Sequence, residues 1–371
     1  MLAAILSASI IQVSGGGGFV LFLRDTGTVC GIGYDGGGLV PNGKSGTQHD
    51  DFTDIALPRP ATQIASASGS AYALLNDGTV VAWGSNIMGQ LGDDTTKTPT
   101  APVAVKGLTN IVQVSSGMQY AVALRKDGHV LVWGKRNGGV MGDGKDEGEV
   151  HTPQEVPGLD GVKEIAAGYH HVVALKTDGT VWAWGENGAG QIGIGSAGAN
   201  VVHPVQVPGL ADVVHVAAGF NAQGSSGALT SDGRVWVWGS NETGLLANGK
   251  RGSSPGDGAY PSPKAVPGVS AAAQLILGDG QAVVIHRDGK VTDWGHNGLG
   301  GLGNGKAGTY SLKPEKTKLS DIKSARGASM ITLVVKADGS VLRSGGALGR
   351  SGPYSKPVKV FTPVDVPDAG N

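Results

Sequence analysis

Short apolar runs alternate with polar, glycine-rich connections along the whole chain, and nowhere do the apolar positions take up a helical period. The clearest stretch is Val172 to Gly193, VVALKTDGTVWAWGENGAGQIG. It holds an apolar run, an Asp178-Gly179 turn, a second run closing on Trp184-Gly185, and a Gly-rich exit. Val, Leu and Trp suit a pleated, half-buried surface, and Asp-Gly is expected to supply the positive φ angles of a two-residue hairpin. One hairpin is marginal in water. This one recurs, at Asp77-Gly78, Asp127-Gly128, Asp178-Gly179, Asp232-Gly233, Asp288-Gly289 and Asp338-Gly339, with a looser Asp25-Thr26-Gly27 in front. Successive Asp residues stand 52, 50, 51, 54, 56 and 50 positions apart, a spacing in the range of propeller repeats.

Two residues after each turn Gly stands a Val: Val29, Val80, Val130, Val181, Val235, Val291 and Val341. A Trp column follows at Trp83, Trp133, Trp184, Trp238 and Trp294, replaced by Ile32 in the first copy and Ser344 in the last. Each unit divides into four strands. Strand A precedes a Gly, as in VKEIAAG ending at Gly168; strand B is the apolar run before the turn, and strand C runs from the Val to Trp-Gly. Strand D is short and flanked by Pro, as in HPVQVPG and SPKAVPG, which fits an edge position where a missing N–H is tolerated. Four antiparallel strands repeated seven times predict an all-β chain, a seven-bladed β-propeller in a single domain over residues 1–371.

Composition agrees. Sixty-five Gly and 18 Pro serve the turns of many short strands, while 40% apolar residues argue against disorder. A formal charge of −1 with no basic tail excludes nucleic acid or an anionic membrane as an expected partner. The one cysteine, Cys30, rules out an intrachain disulfide framework and occupies a framework strand position. The opening MLAAILSASII is too short to span a membrane and lacks a charged leader. It reads as a first strand or the remnant of an export signal, so the compartment, cytoplasmic or exported, stays open.

In an antiparallel meander the A–B and C–D connections emerge on one face. The near-identical Asp-Gly turns and Pro-Gly links emerge on the other. The variable face is where a function is expected. Its A–B loops carry Met118 and Tyr120, then Tyr169 and His170, then Phe220 and Asn221, then Asp279. Aromatics ringed by polar loops have the anatomy of a protein-binding hot spot; the competing reading is that these rings pack over the rims of the blades. Catalysis finds little support. His170 and His171 are adjacent on a strand and diverge, so they do not jointly hold a metal. The run DGKDEGE from Asp143 to Glu149 lacks the spacing of a defined calcium loop. There is no phosphate loop, nucleophile elbow or Cys-His pair. The expectation is a monomeric, non-enzymatic binding propeller without cofactor or metal.

The segments LLNDGTVVAWGSNIMGQLG (Leu74 to Gly92) and YHHVVALKTDGTVWAWGENGAGQIG (Tyr169 to Gly193) resemble the regulator of chromosome condensation repeat family. The resemblance covers essentially the whole chain and implies the seven-bladed fold. Members of that family include a nucleotide exchange factor for a small GTPase, plant UV-B receptors and bacterial propellers that inhibit β-lactamases. A shared fold does not choose among these functions. Carried over to this chain, the inhibitor members imply a contact role for Tyr120, Tyr169 and Phe220. An exchange factor would need a wedge, for which the loops around Gly252 to Tyr260 and Asn42 to Asp54 are the longest candidates. Inhibition of a secreted enzyme such as a β-lactamase would require export. A UV-B receptor would want further aromatics and Arg pairs, and no GWRHT-like segment is present. The family's His, three residues after the strand A Gly, survives only as His171, with Tyr72, Tyr120, Ala222, Gln281 and Met330 expected in its place elsewhere.

Overall fold

Strand B is apolar at nearly every position because both of its faces are covered. In Phe19–Arg24 and Ser70–Leu75 all six residues are buried. Alternation still operates, but it sorts side chains between two cores. Val122 and Leu124 pack toward the next repeat, whereas Ala121 and Ala123 pack toward the preceding one. The computed structural model describes residues 8–369 apart from 17–18, 36–37, 40–46, 68, 223, 253–258, 329–330 and 349–355. In it, seven four-stranded antiparallel sheets each take four strands consecutive in sequence. These are the blades of a propeller, spanning 10–55, 61–104, 111–155, 162–206, 213–265, 272–316 and 322–364. Seven apolar clusters fill the seven blade-to-blade interfaces, the last joining Ile331, Leu333 and Val335 to Ile10, Val20 and Phe22.

The ring closes without a shared blade. Arg24, 1% exposed, donates from Nη2 to Pro367 O at 2.7 Å and pairs through Nη1 with Asp54 at 2.9 Å. Nearby the Ala8 amide donates to Asp368 Oδ1 at 2.8 Å. The two ends of the chain are thus stapled over blade 1.

The turns differ from the expected two-residue type. Gly78 N donates to Leu75 O at 3.0 Å and Leu75 N to Thr79 O at 2.8 Å, which closes a three-residue loop. Only the Gly is left-handed, at φ +78° for Gly78 and +84° for Gly179. This is a type I turn followed by a Gly bulge. Asp has its own task. Asp77 Oδ1 accepts from Thr79 N at 3.0 Å and from Thr79 Oγ1 at 2.6 Å, and Asp178 and Asp338 repeat the pattern with Thr180 and Ser340. These bonds hold the exposed Asp carboxyls below their ordinary pKa.

The Trp column locks each blade to the one before it. Fully buried, Trp133 donates its Nε1–H to Gln90 O at 2.8 Å, Trp184 to Val140 O at 2.8 Å and Trp294 to Leu245 O at 2.7 Å. Ser344, where the seventh copy lacks the Trp, keeps the bond by donating from Oγ to Gly301 O at 2.6 Å. The degraded turn at Asn241 also keeps its function: Asn241 Oδ1 accepts from Leu246 N at 2.8 Å, as Asn86 does from Leu91 N at 2.9 Å. Strand D varies from two residues in Val103–Ala104 to nine in Gly198–Gln206, where the loop end continues the pairing past a bulge at Gly185.

The column of the family His needs correction. Paired positions place Ser70, Tyr120, Ser225, Gln281 and Ile331 opposite the Trp-Gly glycines, as His171 is opposite Gly185. Tyr72 is therefore not its counterpart, since Gly69 lies directly before strand B, and neither is Ala222, since blade 5 has a longer A–B loop; Met330 lies outside the described residues. His171 is buried and its Nε2 lies 3.0 Å from Ser226 Oγ across the interface; burial pushes its pKa down to about 4.

Candidate functional site

Strand A of every blade lines a central channel, and the A–B loops meet around its mouth. Their backbones are tied in sequence: Met118 N donates to Tyr169 O at 3.0 Å, Tyr169 N to Gly219 O at 3.3 Å and Phe220 N to Gly278 O at 3.2 Å. This brings the loop residues of blades 3 to 6 together although they are dispersed over more than a hundred positions of sequence.

Tyr169 is the centre. Its ring meets Phe220 edge to face at 5.4 Å and His170 at 4.6 Å. His170 Nδ1 lies 3.3 Å from Glu186 Oε2, and its Nε2 lies 3.1 Å from Asn137 Nδ2. Tyr169, His170 and Phe220 are all half-buried, so each rests on the rim and keeps a free edge. Burial raises the Tyr169 pKa, and the charges of Asp279 and Glu186 add to it. Asp279 is exposed at the next loop, with its pKa raised by partial desolvation against the opposing charge of His296. His296 packs on Tyr310 at 5.1 Å, and the Arg251 guanidinium sits 3.4 Å over the Tyr310 ring. An aromatic belt with interleaved charges thus stands on three neighbouring blades, 4, 5 and 6.

Not every expected residue belongs to it. Tyr120 is fully buried; its hydroxyl shares its one hydrogen between His171 O at 2.7 Å and Gly168 O at 3.0 Å, so this ring is an interblade bolt. Asn221 is 5% exposed, with Oδ1 accepting from Ser225 Oγ at 3.1 Å, and shapes its loop from inside. Met118 is half-buried beside Tyr169. The neighbouring blade supplies the cover of Tyr120, from residues about one repeat away in sequence, whereas Asn221 turns into its own A–B loop. Sequence reasoning missed Asn137, Glu186, Arg251, His296 and Tyr310. The readable signal was the position after each Trp-Gly, which varies as Ser85, Lys135, Glu186, Ser240 and His296 and opens the C–D connection. The loop Gly252 to Tyr260 and the segment from Asn42 lie partly outside the described residues.

The belt presents rings, an imidazole–carboxylate pair and a cation. Among the described residues no group of three or more His, Cys, Asp or Glu could hold a metal ion, and no helix is long and apolar enough to cross a membrane.

Comparison with known proteins follows the repeats. The pattern described as "Regulator of chromosome condensation (RCC1) repeat" matches residues 77–124, 127–175 and 178–221, and a second pattern of that description matches 162–191. The human "Probable E3 ubiquitin-protein ligase HERC6" is 31% identical over 260 residues, covering 68% of this chain and 24% of its own length. "Ultraviolet-B receptor UVR8" of Arabidopsis thaliana is 27% identical over 293 residues, covering 77% and 65%. The chain therefore spans less than two thirds of the length of both relatives. The crystal structure of Prp20p from Saccharomyces cerevisiae, described with its binding properties to Gsp1p and histones, is alike in fold. Its TM-score is 0.76 at 20% identity, over 97% of this chain and 88% of that one.

Proposed function

The chain belongs to the regulator of chromosome condensation repeat family, and on that premise we propose that it is a monomeric, non-enzymatic scaffold that binds a protein partner on the face of A–B and C–D loops. The observation that carries this reading is the Tyr169–Phe220 edge-to-face pair, half-buried at the channel mouth and flanked by His170, Glu186 and Asp279. Two aromatics held rigid by their own blades lose little conformational entropy on binding and bury a large area. Charged residues around them supply the polar rim of an interface. The description of Prp20p with its binding to Gsp1p and histones supports a protein as the partner class.

The test uses the full chain as bait, wild type against Tyr169→Ala/Phe220→Ala. Because neither ring is a bolt of the Tyr120 kind, the variant is expected to keep its circular dichroism and melt near the wild type. The captured protein should lose affinity by about 2 kcal/mol, roughly 30-fold in Kd. Retention of the same protein at the same affinity by a folded double variant would refute the face assignment. Nucleotide release assayed on a captured GTPase would separate an exchange factor from a simple binder, and inhibition of a captured hydrolase would identify an inhibitor.

A further inference from the structure

The central channel encloses about 450 Å³, a volume in the range of ligand sites. Its wall is ordered. At the third position of strand A, successive blades place Gln12, Gln63, Gln113, Glu164, His215, Gln274 and Ser324. The first six steps of this ring are used to join blades. Gln12 Oε1 accepts from Ile64 N at 2.8 Å, Gln63 Oε1 from Val114 N at 2.8 Å and Gln113 Oε1 from Ile165 N at 2.9 Å. Glu164 pairs with His215 Nδ1 at 2.5 Å, and His215 Nε2 lies 2.8 Å from Leu275 O. Gln274 Nε2 then donates to Lys323 O at 3.0 Å.

The series fails at blade 7. Ser324 is too short to reach across, and among the described residues no hydrogen bond passes from it to Val13 of blade 1. Its hydroxyl is buried without a partner. Two residues on, Arg326 also lines the channel, at a position held elsewhere by Ser14, Ala65, Ser115, Ala166, Ala217 and Ile276. Its Nε is buried without a partner, and among the described residues its guanidinium makes no hydrogen bond or ion pair. The other two charged groups of the lining, Glu164 and His215, neutralise each other. Half-buried on the channel wall, this unpaired cation stands where a group of opposite charge would be favoured. Desolvation accordingly lowers the pKa of Arg326. No carboxylate is at hand to relieve it.

We propose that the channel is a binding site for a small oxyanion, phosphate or a small carboxylate, held by the Arg326 guanidinium with the Ser324 hydroxyl at the blade 7 wall. The planar fork of Arg matches two oxygens of such an anion, which a point charge would not. Ser324 supplies a donor where the other blades spend a long amide on their neighbour. The gap left by the missing glutamine is the space the anion occupies.

Thermal unfolding of the full chain decides it, with chloride exchanged at constant ionic strength for inorganic phosphate in one arm and citrate in the other. Wild type should gain melting temperature saturably, and the arm with the lower midpoint identifies the preferred oxyanion. Arg326→Gln should lose that gain or shift its midpoint at least tenfold, while its melting temperature in chloride equals or exceeds that of wild type. An equal rise in both proteins, the general salting effect of such anions, would overturn the site, as would no rise in either. If Arg326→Gln fails to fold, wild-type crystals grown with selenate give the answer. An anomalous peak within hydrogen-bond reach of Arg326 supports the site, and an empty channel refutes it.

Discussion

At Gly179 a single backbone angle carries the turn. Its φ is +84°, and a Cβ built there would approach Val213 no closer than 3.9 Å, so Gly179→Ala tests the left-handed conformation alone. The expected loss is about 1–2 kcal/mol. Gly233→Ala adds a clash, since the new Cβ would sit 2.8 Å from Ala271 Cα, and its denaturant midpoint should fall further. Equal losses would show that the two turns do not differ as described. The sequence revealed that a Gly was needed but not that the Asp stays right-handed, because two- and three-residue hairpin loops carry the same Asp-Gly signature. Tyr120 and Tyr169 show the same limit. Both are Tyr at or beside an A–B loop, yet one bonds across a blade interface through its hydroxyl and the other keeps a free edge.

Among the elements, strand A is the most informative, because blades 1 to 6 each hand its third side chain to the next blade. Where blades 1, 2, 3 and 6 use Gln, blade 5 uses His215, held between the Glu164 carboxylate and the Leu275 carbonyl. Both partners accept only, so both ring nitrogens must donate and the imidazolium is the bound form. Although burial lowers the His215 pKa, the hydrogen bond and charge of Glu164 outweigh it and raise the value above 6.5. The stabilisation is therefore fully present below the unfolded pKa and is lost as pH rises through the raised folded value. His171, pushed down to about 4, is neutral throughout that window. His215→Gln, which imposes the chemistry of the other blades, should flatten the decline in urea midpoint as pH rises above 6.5. An unchanged slope would mean that another group titrates there. The Trp column gives the complementary lesson: Ser344 retains the interblade bond with a far smaller side chain, so the replaced residue was a working member of the pattern.

For the molecule as a whole, the decisive contact is the staple of Arg24 on Pro367. Each blade is complete in itself, so nothing in the sheet hydrogen bonding prevents the ring from opening between blades 7 and 1. Arg24→Met keeps the buried stem but removes the charged donors, and should lower stability by roughly 1.5–3 kcal/mol. Hydrogen exchange should quicken first in strands A and B of blade 1 and in the outer strands of blade 7. A uniform increase over all seven blades would show that closure is not the weak point. Closure also forms the channel, which Arg326 and Phe220 both line.

The number of blades, the four-strand unit, the turn glycines and the loops of the variable face were legible in the sequence. They depend on contacts within one repeat or on a period of about fifty residues that repetition makes visible. Which aromatics stay exposed, how the ring closes and where a cation is left without a partner were decided only by the tertiary structure. Each of these depends on a residue of the neighbouring blade, as in the Tyr120–His171 bond across 51 positions. Exposure belongs to the interface between two repeats, and no single repeat encodes it.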